Sequence, residues 1–226
     1  MKTFSIKEVL VAGWKAFREN LSVFVTFGVA MLAIWFLEQV GLGIANSSGP
    51  MKPALSALVT LAARVGQIWL QVGLFRMALK LVDGQAVTTD DFLRAHGDFL
   101  GYLLASVLYG LIVGAGMILL VVPGIYWAVR YWAYGYAVVD EHVDPVTALK
   151  RSTVLTDGVK WEVFLFGLAV IGVNIVGAMA LGVGLCATIP LTAVAGAKVY
   201  RILVARAAAR MSALPPAPIG KPIEAH

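Results

Sequence analysis

Charge, cysteine and histidine are all scarce in this chain. Charged residues make up 14% of its 226 positions, against roughly 25% in an average soluble domain, while hydrophobic residues reach 60%. Water is therefore not the main solvent of the folded chain. No formally charged residue occurs between Phe99 and Val129, and none between Val163 and Ala197. Each stretch is too long for one buried helix and carries a central Gly or Pro break, so each reads as a helical hairpin in a bilayer at about 20 residues per span. A single cysteine, Cys186, excludes a disulfide framework and any multi-cysteine metal site. It reads as a small buried hydrophobe. A Ser/His/Asp arrangement, a Walker loop, a zinc signature and a dinucleotide fingerprint are missing as well. No enzyme, cofactor or metal is expected.

What charge there is has a pattern. The net charge of +5 is not gathered on a soluble patch, so a nucleic-acid partner is not expected; the basic residues flank apolar spans instead. Six spans are expected at about 21–45, 54–80, 99–121, 125–140, 160–181 and 185–205. Of the three short connections, at 46–53, 122–124 and 182–184, only the first holds a basic residue, Lys52. The other face receives Lys7, Lys15, Arg18, Lys80, Lys150, Arg206 and Arg210 among others. The positive-inside rule then places both termini of this multi-pass chain in the cytoplasm. The N-terminal "MKTFSIKEVLVAGWKAFREN" scatters charges among apolar residues and lacks a small-residue cleavage site, so it is expected to remain rather than act as a signal peptide.

Three cytoplasmic segments share a design. Ser5 and Glu8 are spaced as a capping box, Thr88 to Asp91 precedes Phe92 and Leu93, and Asp144-Pro145 offers an N-cap followed by proline at the first helical position. Each leads through aromatic residues into an apolar span, so 4–17, 88–97 and 144–157 are expected as short helices lying in the interface. The expected fold is all-α, a polytopic membrane helical bundle of six transmembrane helices in three hairpins with short interfacial cytoplasmic helices. It occupies residues 1–210. The remainder, 211–226, is a Pro- and Ala-rich segment expected as a disordered cytoplasmic tail.

In this order, "SIKEVLVAGWKAFREN", "GLFRMALKLVDGQAVTTDDF", "VVPGIYWAVRYWAYGYAVVDE", "DPVTALKRSTVLTDGVKWEVF" and "IPLTAVAGAKVYRIL" resemble a bacterial membrane family, the YciC-like group. That group is related to the membrane domain attached to some glycerophosphodiester phosphodiesterases. The resemblance runs from residue 4 to residue 205 and implies a six-span inner-membrane protein without an established activity. It carries over no catalytic residues, and the soluble phosphodiesterase domain has no counterpart in this chain.

Polar residues inside the spans are the candidates for a site. Counted from the expected outer turns at 1.5 Å per residue, Arg130 lies about 9 Å deep, Glu38 about 12 Å and Arg64 about 16 Å. An ionised group at mid-bilayer costs about 2.5–3.5 kcal/mol on insertion scales, so Glu38 is expected to pair with Arg64 or Arg130. Thr60, Arg64, Gln67 and Gln71 follow i, i+4, i+7, i+11 on one stripe, and Asn174 lies at comparable depth. This cluster either lines a polar cavity receptive to anions or lipid headgroups, or glues helices together while Arg130 snorkels among Tyr126 and Trp127; the second is preferred. Asp140, Glu141, His142 and Asp144 read as a solvated helix end rather than a metal site, and His96 with Asp98 is weaker still. Gly110 and Gly114 read as close helix packing, and Tyr131, Trp132, Tyr134 and Tyr136 as bundle packing.

The function expected is that of an integral inner-membrane protein without a catalytic site, organising or sensing the membrane or envelope. The alternative is a small transporter or lipid-handling protein with a polar intramembrane cavity around Glu38, Arg64 and Arg130. Membrane lipids are the expected partners, anionic headgroups at the cytoplasmic face above all. Association with a second copy or with other membrane proteins is left open.

Overall fold

The computed structural model describes residues 3–47, 49–93, 96–180 and 184–213, with the backbone alone at 92, 93 and 96. The described residues are almost entirely helical: α1 (Ile6–Glu19), α2 (Leu21–Asn46), α3 (Lys52–Val82), α4 (Asp90–Leu93), α5 (His96–Leu119), α6 (Val121–Arg130), α7 (Tyr134–Glu141), α8 (Pro145–Thr156), α9 (Lys160–Met179) and α10 (Leu185–Ser212). A 3-10 turn at Gly49–Met51 leads into α3. Among the described residues five helices are long and apolar enough to cross a membrane: α2, α3, α5, α9 and α10. Their outward side chains are apolar, as in Leu37, Leu111, Ile118 and Val176, which suits lipid rather than water on those faces.

The expected span at 125–140 comes out differently. There the chain forms α6 and α7, of ten and eight residues, separated by a turn at 131–133. At 1.5 Å per residue neither alone crosses about 30 Å of hydrocarbon. Side chains hold the break open. The Arg130 carbonyl, which a continuous helix would give to the Tyr134 amide, accepts from Ser152 Oγ and Thr156 Oγ1, both at 3.0 Å. The Tyr134 amide turns instead to the Tyr131 carbonyl at 3.1 Å, and the Ala133 amide donates to Ser152 Oγ at 3.0 Å. Ser152 and Thr156 are fully enclosed. Hydropathy reports only the apolar content of 125–140, so it cannot register hydroxyls 19 to 26 residues downstream.

Those hydroxyls also tie 144–157 to the bundle. This segment forms α8, and one face of it, with Ala148, Leu149, Ser152, Leu155 and Thr156, is buried in the bundle. Asp144 caps its start, accepting from the Val146 and Thr147 amides at 3.1 and 3.0 Å, with Pro145 at the first turn. At α1, Ser5 holds the cap position but its side chain makes no cap hydrogen bond, so the Ser5–Glu8 capping box does not form. α1 does behave as an amphipathic helix: Val9, Gly13 and Phe17 are buried while Val11 and Trp14 are exposed. Its inner face lies on α10, where a Cβ on Gly13 would run into the Leu191 carbonyl. In the third segment α4 is only four residues long, and Arg94 and Ala95 lie outside the described residues.

Close packing uses other glycines than those expected. A Cβ on Gly110 or Gly114 would meet nothing within 4 Å. The α5–α6 hairpin closes instead at Gly116 and Gly124, where a Cβ on Gly116 would come 2.9 Å from the Gly124 Cα. Gly28 packs on Cys186 near the start of α10, so the later turns of α2 and the paired first half of α3 extend past the α9–α10 hairpin. On that outlying arm Trp35, Phe36, Leu58 and Leu61 are exposed, whereas Tyr200, Phe24, Phe27, Phe166, Leu74 and Met77 form the enclosed core. α10 runs on to Ser212, and the tail expected at 211–226 falls outside the described residues from 214 onward.

If the hydroxyls hold the break, the double variant Ser152→Ala/Thr156→Val should lose about 2–5 kcal/mol in detergent unfolding, because it leaves a buried carbonyl and a buried amide unpaired. Thr153→Val is the control. The Thr153 hydroxyl bonds only to the Lys150 carbonyl on its own helix, at 2.7 Å. Equal losses in the two proteins would remove Ser152 and Thr156 from this role.

Candidate functional site

The polar residues expected to cluster are distributed over three places. Ile34 packs on Gly66 and Val59 on Gly41, which fixes the antiparallel register of α2 and α3 and leaves Glu38 and Arg64 at similar heights on the outlying arm. They do not pair. Arg64 Nη1 donates to Gln67 Oε1 on its own helix at 2.7 Å, and none of the ion pairs among the described residues includes Glu38. Matched depth alone does not bring two side chains to the same side of a hairpin. Thr60 is half-buried on the same arm.

The second place lies between α3, α7, α9 and α10. A cavity of about 300 Å³ is lined there by Gln71, Asn174, Thr192, Trp132 and Tyr136 among others. Gln71 also borders a groove of about 660 Å³ that includes Gln67, Phe27, Trp35 and Cys186. The structure thus brings Gln71 and Asn174 together, as the sequence suggested, without Arg64 or Glu38. Asn174 Oδ1 is buried and has no hydrogen-bond partner. The aromatic wall is tightly ordered: Tyr136 lies 4.5 Å from Phe75 and 5.7 Å from Tyr200 between ring centroids, and its hydroxyl donates to the Ala193 carbonyl at 2.9 Å.

Arg130 occupies the third place, at the end of the molecule where the charges collect. There it shares a cleft of about 730 Å³ with Lys160, Arg206, Arg210 and Asp157, walled by Leu203 and Val154. Its guanidinium carbon lies 6.0 Å from the Tyr131 ring centre, so the aromatic neighbour is Tyr131 and not the expected Tyr126 and Trp127. Tyr126 instead carries the Lys160 ammonium over its ring at 5.8 Å. Counting residues inward from Pro123 placed Arg130 in the half of the bilayer shared with Glu38 and Arg64. The structure places it instead beside the start of α9 and the last turns of α10.

Around this cleft a set of charges is paired. Arg201 grips Asp83 through two nitrogens, at 2.5 and 2.8 Å, and reaches Asp140 at 2.7 Å. The Tyr200 hydroxyl lies 3.0 Å from Asp140 and 3.1 Å from Glu141, and Arg151 bonds Glu141 at 2.8 Å. Asp98, buried, takes Arg76 on one oxygen at 2.5 Å and His142 Nδ1 on the other at 2.6 Å. His142 ends α7 in the left-handed region, φ 51°, one of the few conformations that turns the chain there. Asp91 pairs with Lys80 at 2.5 Å and accepts from the Thr88 amide at 3.0 Å. Burial pushes the Asp91 carboxyl up, but Lys80 and the Thr88 amide outweigh it and hold the group below the ordinary carboxylate range. The 140–144 segment is therefore a hub of ion pairs tying α3, α5, α7, α8 and α10, rather than a solvated helix end. Asp98 is spoken for by Arg76 and His142, and the His96 side chain lies outside the described residues. No group of three His, Cys, Asp or Glu gathers as a metal site among the described residues.

Sequence reasoning overlooked Ser152, Thr156, Lys160, Arg206 and Arg210 as site residues. The i, i+4 spacing of Arg206 and Arg210 was a usable signal, since it places both on one face. Comparison with family models, with curated proteins and with solved structures gives no match.

An unpartnered buried amide oxygen costs about 1–3 kcal/mol, so Asn174→Leu should raise the melting temperature of the purified protein if the cavity is only a packing defect. A lowered melting temperature would show that the amide makes stabilising contacts in the folded protein.

Proposed function

We propose that this chain is a multi-pass protein of the bacterial inner membrane that works without a catalytic site, with both termini cytoplasmic, and that it organises or senses the membrane by reading lipid headgroups at its charged end. The ordered resemblance to the YciC-like group points the same way. The observation that carries the reading is the division of labour between charges at that end. The carboxylates Asp83, Asp91, Asp98, Asp140 and Glu141 are all engaged by Arg, Lys or His partners, which is the arrangement of a structural brace. Acid or base chemistry needs a carboxylate held free near a reacting group. Cations outside the brace, by contrast, face outward: Lys7 and Arg18 on α1 are exposed, as is Lys15, whose loose pair with Glu19 at 3.8 Å stays open to solvent, and an unpaired cation attracts an anionic surface by about 1 kcal/mol.

A second reading, transport or lipid handling, rests on the unpartnered Asn174 oxygen beside the inner cavity. Among the described residues no group of His, Cys, Asp or Glu gathers to support ion binding, and we place it second.

Hydrogen exchange in vesicles tests the first reading. On adding anionic lipid to a zwitterionic bilayer, amides of α1 should slow several-fold while those of α8 hold steady, because α8 is fixed by buried contacts rather than by headgroups. High salt should reverse the slowing. Exchange in α1 that ignores lipid charge would count against headgroup reading.

A further inference from the structure

We propose that the cleft formed by Arg130, Lys160, Arg206 and Arg210 is a binding site for the phosphate of an anionic lipid headgroup, with the lipid's acyl chain laid along Val154 and Met211. The inference rests on the membrane reading above and makes it specific. Four cations line the cleft against one carboxylate, Asp157. That carboxylate is already taken by Lys160 at 3.3 Å, and the bond to Lys160 holds Asp157 below the ordinary carboxylate range. Arg130, Arg206 and Arg210 join none of the ion pairs among the described residues. At the same end Arg76, Lys80, Arg151 and Arg201 all have carboxylates. Three positive charges are thus left over in one cleft, where mutual repulsion favours a bound anion.

The geometry fits a phosphate. Arg206 and Arg210 lie one turn apart on α10, and each reaches the Asp157 carbonyl with only one nitrogen, at a long 3.4 Å. Most of both guanidinium forks is free for the paired donation that phosphate oxygens accept. Gly158, at φ 74°, follows that carbonyl, and a Cβ there would come 3.2 Å from Arg206 Nη2, so the glycine keeps the chain turned and the guanidinium unobstructed. Arg130 enters from the far wall, as the last residue of α6. Its carbonyl is fixed by Ser152 and Thr156, which holds the root of the side chain while leaving the guanidinium over Tyr131. Beside the cations the wall turns apolar and open: Val154 is 54% exposed and Met211 58%. A soluble anion gains nothing from that wall. A phospholipid uses both parts, the phosphate on the arginines and the chain on the apolar strip. The surplus of three charges favours headgroups carrying two negative charges over those carrying one.

The test uses the purified full chain in zwitterionic detergent, with bound lipid counted by native mass spectrometry. Diphosphatidylglycerol should be retained in preference to phosphatidylserine, whose headgroup has a single net charge, and to phosphatidylcholine. Arg206→Gln/Arg210→Gln should weaken retention of diphosphatidylglycerol about tenfold or more, the scale expected on losing charge-assisted bonds to phosphate. Arg130→Gln, which breaks no hydrogen bond in the fold, should weaken it less but in the same direction. Lys7→Gln/Lys15→Gln on α1 should leave it unchanged. Equal weakening by the α1 and α10 variants would reduce the effect to surface attraction and overturn the site. Displacement of the lipid by millimolar inorganic phosphate would assign the cleft to a soluble anion and overturn the lipid. If α1 exchange ignores lipid charge while this selectivity holds, the broader sensing reading fails and the site stands; selectivity lost with α1 still responsive fails the site alone.

Discussion

A backbone carbonyl buried in the protein has no partner but the protein, and at residues 130–133 that constraint organises the fold. The chain breaks its helix there, and the freed Arg130 carbonyl and Ala133 amide must be met from inside. Ser152 and Thr156 meet them, which draws α8 into the bundle although its composition suits an interface. Once α8 is docked, Arg151 lies within reach of Glu141, and Glu141 with Asp140 receives the Tyr200 hydroxyl. The same anchoring delivers the Arg130 side chain to the cleft beside α10. A local shortfall of hydrogen bonds is thus converted into the placement of four elements and one functional candidate.

The ion-pair brace at this end contributes more to register than to net stability. Exposed pairs are worth little, and pairs such as Arg201–Asp83 are only partly shielded. Asp98 and Asp91 differ, being buried to 5% and 7% exposure. Removing a partner from either strands a buried charge, which is a large penalty even where the intact pair gains little. The brace therefore selects one arrangement of α3, α4, α5, α7, α8 and α10. At the other end the α2–α3 arm has no such device. Its Gly41–Val59 and Gly66–Ile34 contacts set a register between two helices and leave broad apolar faces for lipid.

Much of this was legible in the residue order. Charge-free stretches longer than one helix mark membrane-spanning candidates, and α2, α3, α5 and α9 lie where they were expected within a few residues, while α10 starts where expected and runs seven residues further, to Ser212. Asp144-Pro145 marked the start of α8 because an N-cap followed by proline is a local code. Other features are not local. Whether 125–140 forms one helix or two depends on hydroxyls in the next helix, and no periodicity within the segment carries that. Depth counted along the chain placed Glu38 and Arg64 at similar heights but could not say which way their side chains point. For Arg130 the same count failed altogether, because it assumes a helix standing upright from an outer turn. Gln71 and Asn174 were recognised as polar residues of comparable depth, and they do share a cavity. The cationic cleft was hidden because Arg130, Lys160 and the Arg206/Arg210 pair are 30 or more positions apart in the chain and only folding shows that the brace leaves the arginines without carboxylates.

The most direct test of this account is whether residue 126 lies beside residue 160, since that contact brings the end of α6 to the charged end of the molecule. In native membranes, with Cys186→Ala as background, Tyr126→Cys combined with Lys160→Cys should crosslink through a short bifunctional thiol reagent. Tyr126→Cys combined with Ser47→Cys should not. Crosslinking of the second pair without the first would place the end of α6 at the other side of the membrane and contradict the account.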